Sequence, residues 1–130
     1  MNYTVSDFII RLKNASLANK REVIVPYSKI IEGIASVLVA NQYLADAKEE
    51  TMDGKKVLVA KLRFEKRKPV LTNVEIISKP SLRIYIRSAQ IFNRERKRRG
   101  TLVISASKGI ISGKEAAQKG VGGELLFEVW

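Results

Sequence analysis

Apolar and polar positions change period several times along the chain, and each change predicts an element. Val5, Phe8, Ile9 and Leu12 recur at helical spacing opposite Arg11, Lys13 and Asn14, which predicts a helix over residues 6–15 with Ser6 as its N-cap. Residues 22–25 read as a short strand stopped by Pro26. Ser28 then caps a second helix, whose Ile30, Ile31, Ile34, Ala35 and Leu38 form one apolar stripe. Asp53-Gly54 predicts a hairpin turn between strands at 43–50 and 56–64. Leu58, Ala60, Leu62 and Phe64 alternate there as one buried strand face requires.

Lys66-Arg67-Lys68-Pro69 interrupts these patterns. A basic run ending in proline makes a poor strand and a poor helix, so a hinge and domain boundary are expected there. Beyond it, strands are expected at 70–77 and 82–87, separated by Lys79-Pro80-Ser81. In the second of these, Leu82, Ile84 and Ile86 should face one way and Arg83, Tyr85 and Arg87 the other. Residues 101–105 are apolar and partly β-branched, as suits a central strand. Ser112-Gly113-Lys114-Glu115 matches a capping box, Gly120 suits the end of that helix, and residues 123–129 close the chain as a strand. The expected fold class is α/β in the broad sense (α+β). An N-terminal α-β-α-β-β domain, residues 1–66, is followed by a mostly β domain, residues 67–130, with one short helix.

Composition fits a small globular protein of 130 residues, 45% hydrophobic and 28% charged. No apolar run approaches the ~18 residues a membrane span needs, and the first seven residues lack a secretory pattern, so a soluble intracellular protein is expected. Cysteine and histidine are both absent. That excludes disulfides, Cys/His metal sites, thiol nucleophiles and an imidazole base. The net charge of +11 is lopsided: residues 1–65 carry +2 and residues 66–130 carry +9. A solubilising surface needs no such asymmetry, which favours a polyanionic partner. No segment pairs a basic face with a strong apolar one, so a membrane surface is the poorer match.

The most informative stretch is Ser105-Ala106-Ser107-Lys108-Gly109, with Gly120-Val121-Gly122-Gly123-Glu124 a short helix away. It offers two hydroxyls, an ammonium and glycines that let another backbone come close. Ser105-x-x-Lys108 matches the nucleophile motif of penicillin-recognising acyl enzymes. Gly109, Ile110 and Ile111 argue against the helix start that chemistry needs, and its companion motifs are missing. Residues 109–115 are one residue short of a phosphate-binding P-loop and place Glu115 where a magnesium-binding hydroxyl belongs. Arg83, Tyr85 and Arg87 share a strand face, where an aromatic can stack on a base or sugar between phosphate-holding arginines. Arg94, Arg96, Lys97, Arg98 and Arg99 form a dense basic loop around Glu95.

The run from Gly100 to Trp130, GTLVISASKGIISGKEAAQKGVGGELLFEVW, closely resembles the C-terminal signature of the eighth protein of the bacterial small ribosomal subunit. Weaker similarities at residues 7–15, 25–29 and 77–85 extend the resemblance over the full length. The family implies a two-domain α/β protein of the ribosome that binds an irregular stem in the central domain of small-subunit ribosomal RNA. Its further partners would be neighbouring small-subunit proteins and, in several bacteria, the messenger of its own operon, which it represses. No catalytic residue, metal or cofactor is implied, and a cytoplasmic ribosome is the expected location. The hydroxyl-rich loop maps onto Ser105, Ala106, Ser107 and Lys108, with Gly109 closing it. The RNA-facing tyrosine maps onto Tyr85, the acidic residue after Gly122-Gly123 onto Glu124, and the N-terminal contacts onto Asn14 and Lys29. Three features depart from the family pattern: Ala106 replaces the usual threonine, Ser81 a glycine, and residues 94–99 are far more basic. A non-ribosomal nucleic-acid regulator and a Ser–Lys hydrolase are the alternatives that the residues alone leave open.

Overall fold

The computed structural model describes residues 3–97 and 100–130. Helix α1 (Tyr3–Leu17) begins a turn earlier than its spacing predicts, because Val5 is fully buried and extends the apolar stripe upstream. Ser6 therefore lies inside the first turns and is no cap. After β1 (Glu22–Pro26), α2 (Lys29–Ala40) starts at the expected N-cap, where the Ser28 Oγ accepts from the Ile31 N–H at 3.3 Å. The long hairpin of β2 (Leu44–Met52) and β3 (Lys55–Leu62) turns at Asp53 and Gly54, with φ of 51° and 78°. Those left-handed values are those of the tightest hairpin turns. The first sheet is antiparallel throughout, in the order β1-β3-β2.

The basic run at 66–69 forms structure after all. Strands β4 (Phe64–Glu65) and β5 (Lys68–Pro69) pair antiparallel around a two-residue turn. Lys66 and Arg67 there adopt φ of 51° and 69°. Pro69 is tolerated because a two-stranded ribbon leaves its missing N–H on an edge. Residues 70–77 are strand only at β6 (Val74–Ile76), and residues 82–87 only at β7 (Tyr85–Ile86). Leu82 sits at an exposed turn tip, closed by paired backbone bonds between Lys79 and Leu82, and not on the buried face its alternation predicts.

The second sheet is built on β10 (Gly123–Val129), which pairs β6, β7 and β8 (Thr101–Ala106), and β9 (Gly109–Ser112) pairs β8. Helix α4 (Gly113–Lys119) has the predicted caps. Ser112 accepts from the Glu115 N–H at 3.2 Å, and Gly120 closes the helix at φ 67°. A second helix in this half, α3 (Ser88–Lys97), was not anticipated. Arg87 serves as its N-cap: its carbonyl accepts from Ile91 at 3.0 Å, and the Gln90 side chain returns to the Arg87 N–H at 3.0 Å. The basic cluster thus begins as helix through residue 97; the side chains of 95–97, and residues 98 and 99 entirely, lie outside the described residues.

Two cores hold these layers. The larger contains Phe8, Leu12, Ile31, Ile34, Leu38, Leu58 and Leu62, joined by Leu71, Val103, Leu126, Phe127 and Val129. The smaller lies on the other face of the second sheet, where Ile86, Leu102, Ile104 and Leu125 meet Ile91 of α3 and Ala116 of α4. With both faces covered, residues 125–129 form a continuous buried run rather than an alternating one. A bulge between Leu125 and Phe127 sends two successive residues into the larger core. Ser16, buried on α1, donates to the Leu71 carbonyl and ties that helix to the segment leading into β6.

Candidate nucleic-acid interface

Strand pairing places three of the candidate residues side by side. Tyr85 on β7 pairs with Glu124 on β10, and Glu124 pairs with Ser105 on β8. Directly paired residues project from the same face of a sheet, so the phenol, carboxylate and hydroxyl form one row. Their chain neighbours Ile86, Leu125 and Ile104 point the other way, into the smaller core under α3 and α4. The row lies on the face that farther along packs against the larger core. Here the sheet runs past that core, and exposure rises from half-buried Ser105 and Glu124 to 68% at Tyr85.

The row continues inward to Ile110, which pairs with Ser105 and packs against α2. A Cβ on Gly33 of α2 would stand 3.0 Å from Ile110, so that helix approaches closely. Lys29 is one turn earlier on the same helix and exposed, beside the inner end of the row. Asn14 is elsewhere: it lines an open hollow of about 420 Å³ between α1 and β1, with Arg11, Lys20 and Ile24 among its walls. Arg11 spans that hollow's rim, paired with Asp7 at 3.0 Å and donating to the Ile24 carbonyl at 3.4 Å.

Ser107 and Lys108 are the two turn residues of the β8–β9 hairpin, and both are exposed. Gly109 follows at φ 140°, where a side chain would be strained although nothing lies within 4 Å of a Cβ. The tip is thus open to a partner. Ser105 ends a strand and does not start a helix, so Ser105 and Lys108 lack the one-turn helical relation of the acyl enzymes.

Gly122 and Gly123 have a nearer reason to be glycine than an approaching partner. A Cβ on Gly122 would stand 2.3 Å from the Ile86 carbonyl oxygen, and one on Gly123 2.3 Å from that of Ser105. They let β7 and β8 close on β10, and that closure aligns the row. Arg83 and Arg87 flank Tyr85 and are exposed, as their alternation predicts.

Sequence reasoning missed Ser78, which is fully buried. Its hydroxyl accepts from the Ile84 N–H at 2.9 Å and donates to the Ile84 carbonyl at 3.3 Å. The two-residue strand carrying Tyr85 is held by this clasp and by the Leu125 N–H, which donates to the same carbonyl at 2.8 Å. A lone serine beside Lys79-Pro80 carries no periodic signal that could announce it. Among the described residues, no cluster of three acidic side chains could hold a metal ion, and no helix is long and apolar enough to cross a membrane.

Comparison with known proteins covers the whole of this architecture. The family model for Ribosomal protein S8 matches residues 3–130. A protein of Coprothermobacter proteolyticus named small ribosomal subunit protein uS8 is 43% identical over 129 residues, covering 98% of this chain and 97% of its own. The proteins of the same name from Oleidesulfovibrio alaskensis and Thermosynechococcus vestitus are 38% and 35% identical. The first alignment covers 97% of this chain and 96% of the relative, the second 100% and 98%.

Proposed function

We propose a function from the premise that the chain belongs to the ribosomal protein S8 family. It is a structural protein of the small ribosomal subunit rather than an enzyme. The finer reading is that it binds an irregular stem in the central domain of small-subunit ribosomal RNA and supports assembly of that region in the cytoplasmic ribosome. The observation that carries this is the cross-strand row Tyr85–Glu124–Ser105 beside the open Ser107–Lys108 tip.

RNA duplexes expose a shallow minor groove and, at irregularities, splayed bases, so recognition relies on shape, 2′-hydroxyls and stacking. In this reading Tyr85 stacks on a base or sugar, with Arg83 and Arg87 on phosphates either side. Ser105 and Ser107 exchange hydrogen bonds with base edges or 2′-hydroxyls, and Glu124 accepts from a base amino group. Lys108 neutralises a phosphate at the tip, where Gly109 leaves room for the strand. Lys29 reaches the RNA from the inner end, and Asn14 contacts it from α1. Ala106 supplies only its backbone. Gly122 and Gly123 act by closing the sheet. Residues 67–130 then carry most of the contact, and residues 1–66 buttress it. A messenger stem of the same shape would occupy the same row, the basis for repression of its own operon.

The test is binding of the full chain to the ribosomal stem and to a regular RNA duplex of equal length, at two salt concentrations. A preference for the stem of at least ~1,000-fold, on the scale of specific nucleic-acid readers, is expected. Equal affinity for both, lost together as salt rises, would reduce the protein to a non-specific basic surface.

A further inference from the structure

The β4–β5 ribbon carries three successive cations at its tip, Lys66, Arg67 and Lys68, all exposed. None of the three makes an ion pair among the described residues. The one acid on the ribbon, Glu65, is engaged instead by Arg63 at 3.4 Å, and Arg63 also donates to Gln42. At the base, the Arg21 guanidinium lies 4.9 Å over the Phe64 ring, and the Val70 N–H donates to the Arg63 carbonyl at 2.9 Å. The base is braced while the tip is bare.

The turn itself is unusual for its residues. Asp53-Gly54 makes a turn of the same kind with residue types that tolerate left-handed φ. Lys66-Arg67 makes it with two long side chains that do not, and holds like charges next to each other. That repulsion is relieved when the cations rest on a row of anions. The tip has no exposed apolar side chain to enter a bilayer, since Phe64 is covered by Arg21 and Pro69 is half-buried.

We propose that the Lys66–Lys68 hairpin tip is a second nucleic-acid contact, binding phosphates of an RNA backbone apart from the Tyr85–Glu124–Ser105 row. It borrows from the function proposed above only the identity of the polyanion. The test compares the full chain with the K66N/R67G variant, measuring affinity for a regular RNA duplex and for the ribosomal stem across a salt series. Asn-Gly suits this turn, so the variant should melt at the parent's temperature or above. Its slope of log affinity against log salt should flatten by roughly 0.9 for each of two lost phosphate contacts. The charge-preserving K66R/R67K variant should keep the parent's slope.

A K66N/R67G slope equal to the parent's on both RNAs overturns the proposal. So does a flattened slope in K66R/R67K, because the effect would then be one of turn geometry. Binding of phosphatidylserine vesicles that K66N/R67G abolishes, without any change on RNA, would reassign the tip to lipid and also overturn it. Failure of the stem to outcompete the duplex in the parent would sink the stem-specific reading alone, since the hairpin is read equally well on the duplex.

Discussion

The two sheets are both antiparallel and both contribute to the larger core, yet they hold together by different means. The β1–β3–β2 sheet relies on long registers: β2 and β3 pair from Leu44 with Leu62 to Met52 with Lys55, without one glycine inside a strand. Four of its charges pair across or along the strands, Lys56 with Glu49 at 3.2 Å and Lys48 with Asp46 at 3.6 Å. The β10 sheet recruits β6 and β7, three and two residues long, and depends on close backbone approach at Gly122 and Gly123 and on the Ser78 clasp. Its outward row of phenol, carboxylate and hydroxyl is the surface proposed above to meet RNA. Long pairing makes a sheet that sets its own register, whereas short strands need backbone contacts from their neighbours to align the row they carry.

The largest effect should come from filling the closest approach. Gly123→Ala puts a Cβ 2.3 Å from the Ser105 carbonyl oxygen, which a backbone atom cannot yield cheaply. Destabilisation of about 3 kcal/mol and loss of stem binding are expected. Gly54→Ala, in the first sheet's turn, meets open space and strains only φ, which costs about 1–2 kcal/mol with binding intact. Urea midpoints and RNA titration of both variants check this. Equal destabilisation would mean that the two sheets do not differ as argued.

Next is Ser78→Ala. It leaves the Ile84 N–H without its hydroxyl partner in a buried setting, for a loss of about 1–3 kcal/mol in stability. Because the clasp positions the strand of Tyr85, affinity for the stem should fall with it even well below the melting temperature. Stability lost with affinity unchanged would show that β7 is held in place by β10 alone.

Smaller in stability, but sharper in meaning, are Tyr85→Ala and Ser105→Ala. Each should cost about 1–3 kcal/mol of stem binding, by loss of stacking or of a hydrogen bond. Folding should change by no more than about 0.5 kcal/mol, since neither side chain joins a core. Lys48→Ala, exposed on the first sheet, should change neither quantity. Binding that weakens equally for Lys48→Ala would mean charge at large, not the row, attracts the RNA.

This division also governs what the sequence makes legible. α2, the Asp53–Gly54 hairpin and α4 follow from strong local signals: an apolar stripe, a two-residue turn, a capping box. The elements carrying the site do not. Leu82, Ile84 and Ile86 alternate as a strand should, but the chain turns at Leu82 because Ser78 closes on Ile84 across six residues. Among its described side chains α3 buries one fully, Ile91, and it is capped from Arg87 through Gln90, so its pattern is that of a basic loop. Tyr85, Glu124 and Ser105 are legible as candidates, but their adjacency is a matter of register between distant strands.

The smallest effect tests whether the first sheet's end beside α2, on its core-facing side, is self-contained. Tyr27 donates to Glu32, its ring lies under the Lys56 ammonium at 5.7 Å, and its N–H donates to the Lys56 carbonyl at 3.2 Å. The hydrogen bond to Glu32 is the main reason that its phenol is pushed up from 10.0 to about 12. The folded state therefore prefers the protonated phenol. Its contribution to stability is intact below pH 10, where the unfolded chain still holds that proton, and is lost as pH rises from 10 to about 12. Absorbance of the phenolate, taken as the difference from Tyr27→Phe, should show Tyr27 ionising after an ordinary tyrosine, and Glu32→Gln should bring it back toward 10. RNA affinity at neutral pH should not change in Glu32→Gln beyond the gain expected from removing one negative charge. A selective loss for the stem would mean that this end takes part in recognition and that the contrast between the sheets is one of degree.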